Sequence, residues 1–409
     1  MTTPVAPNSI SMTQIATEAG IPTTNADLNN SAIRSLAGVT GDSTTISFSQ
    51  LQGKSSFTPL LRKYTTDSNG QFVAGQCYTD TVPAGAKHFS ILMVGGGGGG
   101  GATWSYRGLG DGGGGGGAGG VIISPASLVP VTSGTEYTFN IGAGGNGGNA
   151  HDSCECIAGR GGTGGYTSLL INCTTIIAPG GGGGGGNAGL GFRGSPAGKV
   201  QQGLPGANGG GASGSALCQN PNNLQVYQGE NGNIKYMAGG AGIPATCIRM
   251  PSGWTYYGGH AGGRALDNGL NGGGGGGIRV GANAYDTIPT GGPGGTPSIP
   301  GYGLICRPIA GGGGAGGNFT NNTYDGCNAC IGALFETTGV DYSNIITANG
   351  LTSADGGGGI GGAGVDVNGS QINDVGHPGT SYGAGGGGGG GNNGYGGAGA
   401  DGAIYIYIS

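Results

Sequence analysis

The sequence predicts a mainly β, partly irregular fold in which a β-sandwich framework is extended by a slab of packed polyglycine-II helices. Three observations predict it. Glycine supplies 109 of the 409 residues while only 8% of the chain is charged. The glycines gather into tracts of similar length instead of scattering. Between the tracts lie short alternating runs such as Thr135 to Ile141 and Ala403 to Ser409, the mark of half-buried strands.

A run such as Gly95 to Gly101 has no side chains to bury, is costly to order and makes a poor α-helix. In the polyproline-II conformation, however, three residues complete a turn and every N–H and C=O points outward. Glycine helices of this kind can lie side by side and bond to one another directly, since no β-carbon holds them apart. Seven residues then span about 22 Å. The tracts fall at 95–101, 112–120, 142–148, 159–165, 180–186, 206–214, 239–242, 258–263, 272–277, 291–295, 311–317, 356–364 and 383–399. Isolated alanines at Ala118, Ala315 and Ala363 are expected on outer faces. Flexible linkers need not recur at matched lengths. A disordered chain has little use for 17 Tyr, 8 Phe and 2 Trp, and collagen's strict every-third glycine is missing.

Three regions follow. Residues 1–62 are glycine-poor; Ile10 to Ile15 and Ile46 to Lys54 suggest short strands or turns, and Asn29-Asn30-Ser31 suggests the cap of a short helix carrying Ile33 and Leu36. So small a segment would be marginal alone, so it is expected to fold against a partner. Residues 63–178, together with 400–409, hold most strand candidates: 71–73, 77–82, 87–94, 121–123, 135–141 and 166–178. Residues 179–399 carry the remaining tracts and their connecting loops.

The net charge of −5 is spread out, with no basic stripe for nucleic acid and no apolar run of membrane-spanning length. The first residues lack a secretion signal, so synthesis in a cytoplasm is expected. The four histidines, His88, His151, His260 and His377, lack a nearby nucleophile and carboxylate pattern. No catalytic set stands out and an enzyme is not expected. Nine cysteines leave at least one thiol unpaired if the rest pair.

Val82-Pro83-Ala84-Gly85 followed by an apolar strand and a glycine run, Tyr137 to Gly145, and the closing Gly402 to Tyr407 resemble the glycine-rich domain of bacteriophage tail proteins. Residues 8–54 resemble a short N-terminal segment of tail and virion proteins. The glycine lattice resembles the tail-fibre tip adhesins of T-even-type phages. The resemblance implies a virion structural protein assembled in the host cytoplasm. It also implies attachment to other tail proteins through residues 1–62, a homotrimer from fibre symmetry, and loops at one end of the slab that bind a host-cell receptor. A non-adhesive capsid or tail decoration protein remains the second reading.

If successive tracts cross the slab in opposite directions, loops 102–111, 149–158, 187–205, 243–257, 278–290 and 318–355 share the end far from the sheets. The turn Asn392-Asn393-Gly394 then restores the count for the last strand. On this map the far end carries Trp104, Tyr106, Arg107, Phe192, Arg193, Trp254, Tyr256, Tyr257, Tyr285, Phe319, Tyr324 and Tyr342. Aromatics and arginine dominate binding hot spots. It also carries His151, Cys154, Cys156, Cys247, Cys327 and Cys330. The two short-spaced cysteine pairs suit either loop-stapling disulfides or a zinc site, disulfides being the stronger reading, so no cofactor is expected. Cys218 and Cys306 fall at the near end and are expected to pair. Cys77 and Cys173 are expected buried in strands.

Overall fold

The computed structural model describes residues 11–25, 27–39, 46–51, 57, 59–66, 72–104, 113–124, 129–149, 159–188, 203–211, 219–220, 223–224, 240–248, 250–258, 262, 373–380, 382–391 and 394–409. Three short helices open it: α1 (Met12–Glu18), α2 (Ser31–Leu36) and α3 (Phe48–Leu51). Ser11 caps α1 in a reciprocal capping box with Gln14, and Asn30 caps α2, as the sequence suggested. The segments around α1 and α3, expected as strands or turns, are therefore helical. Ser47 N–H likewise donates to Gln50 Oε1 at 2.7 Å ahead of α3. Ile15, Ile33, Leu36, Ile46 and Leu51 bury one another in a small cluster. Glu18, buried, accepts a 2.9 Å ion pair from Lys87 at the foot of the main domain. This segment thus has both a core of its own and a partner within the same chain.

Nine strands of three or more residues follow among the described residues: β1 (Leu60–Thr65), β2 (Cys77–Thr81), β3 (His88–Val94), β4 (Val121–Ile123), β5 (Glu136–Asn140), β6 (Thr167–Ile171), β7 (Thr174–Ala178), β8 (Thr255–Tyr257) and β9 (Ala403–Ile408). They make a mainly β fold of two antiparallel sheets. The first runs β1-β9-β3-β4-β8, with Val129–Pro130 also paired to β3; the second runs β2-β5-β6-β7. The expected boundary at residue 62 falls inside β1, which pairs with the last strand from Leu60↔Ile408 to Thr65↔Ala403.

Alternation dictates what each sheet buries. Phe89, Ile91 and Met93 of β3 and Ile404, Ile406 and Ile408 of β9 meet Tyr137, Phe139, Leu169, Ile171 and Ile176 of the second sheet in one core. Leu92 and Val94 are also fully buried, so β3 is covered on both faces. The run 166–178, expected as strand throughout, is a hairpin. Asn172 and Cys173 both take left-handed backbone conformations, φ 47° and 58°, as a two-residue type I′ turn requires.

From the end of β3 the chain enters the tract 95–101, and its hydrogen bonds repeat with a period of three. Gly95, Gly98 and Gly101 donate to Gly120, Gly117 and Gly114. Gly96, Gly99 and Ala102 donate to Gly165, Gly162 and Gly159, while Gly97, Gly100 and Thr103 donate to Ala400, Gly397 and Gly394. Its carbonyls accept with the same period from Gly181 and Gly184, Gly145 and Gly148, and Gly386 and Gly389. Six tracts therefore surround one. The three that accept from it run antiparallel to it, and the three that donate to it run parallel. The six also bond to one another in a closed ring, each inbound tract donating to its two outbound neighbours, as in Gly117 to Gly182 and Gly164 to Gly181.

The exposed tracts keep glycine only where they face the bundle. In 142–149 the exposed positions are Asn146 and Asn149, with Ala143 half-buried on the same line; in 159–166 they are Arg160, Thr163 and Tyr166. Side chains recur every third residue on the outward line, which fits three residues per turn. Ala118, expected on an outer face, is instead 2% exposed. It sits beside the buried turn residue Asn208, whose Nδ2 donates to Ala118 O at 3.0 Å. Ala315 and Ala363 lie outside the described residues.

Candidate functional site

The far end of the bundle is built by chain ends. The tracts 95–101, 142–149, 179–186, 208–211 and 384–391 run away from the sheets and reach their last described residues there. Thr103, fully buried, closes that end. Its Oγ1 donates to Gly390 O and accepts from Gly394 N–H, both at 3.1 Å. The chain runs out along 384–391 and back along 394–402; Asn392 and Asn393 of the expected turn Asn392-Asn393-Gly394 lie outside the described residues. Trp104 follows Thr103 and bridges to Ala188, so its backbone is at the far end, as expected.

Trp254, Tyr256 and Tyr257 are not. Loop 243–257 returns to the sheets, where β8 pairs with β4 from Thr255↔Ile123 to Tyr257↔Val121. Trp254 packs against the main core. Tyr256 is 9% exposed and its hydroxyl donates to Ile243 O at 3.2 Å. Its ring lies over Gly120, where a β-carbon would meet Cε2 at 2.8 Å. These residues fasten the bundle to the first sheet, and the two tryptophans stand at opposite ends.

The cause is one reversal. Residues 203–207 run inward, with Leu204 N–H donating to Gly183 and Ala207 N–H to Gly180; residues 208–211 run outward again, accepting from Gly182 and Gly185. The described part of the stretch expected as a single tract 206–214 instead reverses at Ala207-Asn208, which separates half-tracts 203–207 and 208–211. The next described crossing is inverted: 240–243 runs inward, with Ile243 N–H donating to Gly206 O, and Gly258, beside Ala207, lies nearer the sheets than Gly262, which donates to Gly240. Pro205-Gly206 and Asn208-Gly209 are turn dipeptides, and that was the available signal.

Tyr106, Arg107, His151, Cys154, Cys156, Phe192, Arg193, Cys218, Tyr285, Cys306, Phe319, Tyr324, Cys327, Cys330 and Tyr342 lie outside the described residues. Cys247, expected at the far end, is an exposed free thiol in the sheet-end loop. Cys77 and Cys173, expected buried, are also exposed and free: Cys77 opens β2 on its solvent side and Cys173 sits in the hairpin turn. Among the described residues no three His, Cys, Asp or Glu side chains gather as metal ligands would. No described helix is long and apolar enough to cross a membrane.

A polar cluster between the sheets escaped the sequence reading. Arg62 of β1 pairs with Asp80 of β2 and donates to Tyr137 Oη at 3.0 Å. Tyr64 donates to Asp80 Oδ2 at 2.6 Å and its hydroxyl lies 2.5 Å from that of Tyr137. The four side chains tie the first sheet to the second. Burial alone would raise the Asp80 pKa, but hydrogen bonds from Tyr64, the Thr81 N–H and Arg62 hold it below the usual carboxylate value. Its depressed folded pKa contributes stability above about pH 4 that is lost as pH falls further. Burial raises the pKa of Tyr64, Tyr137, Tyr256 and Tyr405. Their contribution is complete below about pH 10 and lost as pH rises through the raised values. Thermal melts followed by circular dichroism should therefore show a plateau between about pH 5 and pH 9 and a decline on both sides. Tyr64→Phe should flatten the acid decline.

The chain belongs to the glycine-rich domain family, whose model matches residues 71–303. That span takes in strands β2 to β8 and the tracts between them. No curated protein matches the chain.

Proposed function

We propose that the chain is a phage tail or tail-fibre structural protein that acts as a host-receptor-binding adhesin. In this reading the two sheets form a β-sandwich base, the tracts are polyglycine-II helices packed as a slab, and the loops beyond the far end contact the receptor. The chain is a binding and structural protein, not an enzyme, needs no cofactor, and joins other tail proteins through residues 1–62 in the virion.

The observation that carries the reading is the arrangement of the tract 95–101 inside a ring of six others, all bonded through backbone groups. Such a bundle coheres mainly through its backbone, with side-chain bonds such as those of Thr103 and Asn208 added at its ends, so the connecting segments are free to vary in sequence without disturbing what supports them. That is the division of labour recognition loops need. Trp104 remains a receptor candidate, together with the far-end candidates outside the described residues; Trp254, Tyr256 and Tyr257 do not.

Host cells pre-incubated with the purified chain should bind it and then adsorb fewer phage particles. A chain that neither binds cells nor slows adsorption would instead support the decoration reading, in which the bundle only reinforces the particle.

A further inference from the structure

We infer that β7 is the seam of a two-fold dimer, in which the edge strand of one copy pairs antiparallel with the same strand of a second copy. The inference goes beyond the adhesin reading and does not depend on it. Among the described residues β7 ends the second sheet, with β6 on one side and no strand on the other. Natural sheets blunt such edges with charge, proline or brevity. The other edges here follow that rule: β1 carries Arg62 and Lys63, β2 carries Asp80, and β8 is three residues long. β7 reads Thr174-Thr175-Ile176-Ile177-Ala178, five β-favouring or small residues with neither charge nor proline.

The hairpin geometry fixes the register. A two-residue type I′ turn at Asn172-Cys173 makes Ile171↔Thr174 a hydrogen-bonded pair. Leu169↔Ile176 and Thr167↔Ala178 then follow as hydrogen-bonded pairs by alternation. The backbone N–H and C=O groups of Thr175 and Ile177 are left pointing outward from the edge. Antiparallel pairing centred on Ile176 sets Thr175 opposite Ile177 of the second copy, and the reverse. It is the register that satisfies all four outward groups of each strand. Pro179, without an N–H, ends the seam.

The side chains agree with a second copy as the occupant. Thr175 and Ile177 are exposed on the outer face, as is the neighbouring Leu170 at 41%, with Ile177 at 37%. Across the seam they meet Ile177 and Thr175 again, so no like charges are opposed and two exposed apolar side chains gain cover. Cross-strand pairs of this type are favourable. The pairing is isologous and closes at two copies, unlike the homotrimer that fibre symmetry implies.

The test is the solution mass of the full chain at about 50 µM, a concentration suited to a small interface. Twice the 39.0 kDa chain mass is expected. Thr175→Pro should give the single-chain mass, because it removes an outward N–H that the β6 ladder does not use. Ile177→Lys should raise the dimer dissociation constant at least about 10-fold, because it sets a cation in place of an apolar side chain opposite Thr175 of the second copy and brings two cations diagonally together across the seam, with an unchanged thermal midpoint. Thr175→Val should stay dimeric. If Thr175→Pro does not fold, Ile177→Lys decides alone. A wild-type chain of single or threefold mass, or a dimer indifferent to Ile177→Lys, overturns the inference.

Discussion

Gly100→Ala is expected to destabilise the protein by about 4 kcal/mol or more, the scale reserved for the most damaging single substitutions. A β-carbon at Gly100 would overlap the Gly387 carbonyl and stand 2.9 Å from Gly388 N. Those neighbours are backbone, so no side chain can swing aside. Relief requires the two tracts to part, which breaks the bonds that join them, from Gly386 to Gly98 and from Gly389 to Gly101. Each stranded buried group costs roughly 1–3 kcal/mol. Against a typical total of about 5–15 kcal/mol, the variant should be largely unfolded or insoluble. Asn146→Ala is the control. Asn146 lies on the outward line of its tract and lends the bundle only its carbonyl, so the change should stay within about 0.5 kcal/mol. Denaturant titration of the pair measures the difference.

Phe139→Ala is expected to cost about 3–5 kcal/mol, as large aromatic truncations in cores do. Phe139 is 2% exposed. Its ring lies 4.1 Å from that of Tyr64 in the first sheet and 5.7 Å from those of Phe72 and Tyr78. Truncation empties the contact between the sheets, and the Tyr64 hydroxyl is meanwhile anchored to Asp80 and Tyr137, so the cavity cannot collapse freely. The denaturant midpoint should fall with an unchanged slope. Phe139→Leu should recover most of the loss.

The strands β3, β5 and β9 were legible because their apolar residues alternate or run unbroken between glycine tracts. β1 was not, because Arg62 and Lys63 interrupt its apolar run; their partners, Asp80 and the Tyr382 ring 5.1 Å from Lys63 Nζ, are distant in sequence. The helices α1 and α3 were misread although Ser11-x-x-Gln14 and Ser47-x-x-Gln50 are capping-box patterns. Their few apolar residues gave no period to set against that signal. That glycine tracts bond side by side follows from chemistry, since a chain without β-carbons has only its backbone to offer.

The candidate site was less legible than the fold that carries it. Counting crossings assumes that each tract traverses the whole bundle, and the half-tracts around Ala207-Asn208 break that assumption. Nothing in the composition of loop 243–257 distinguishes an aromatic that faces a partner from one that fastens the bundle to a sheet. Tyr256 does the second, and only its hydrogen bond to Ile243 and its place over Gly120 reveal it. The inner and outer tracts, by contrast, differ visibly: pure glycine in 95–101, and a side chain at every third position in 142–149.

Hydrogen exchange of the full-length protein, read on peptides covering residues 95–101, probes the shared claim most directly. Fully bonded inside six neighbours, these amides should open only with global unfolding and exchange as slowly as those of β3. Exchange at the rate of an unstructured glycine peptide, with β3 still protected, would contradict it.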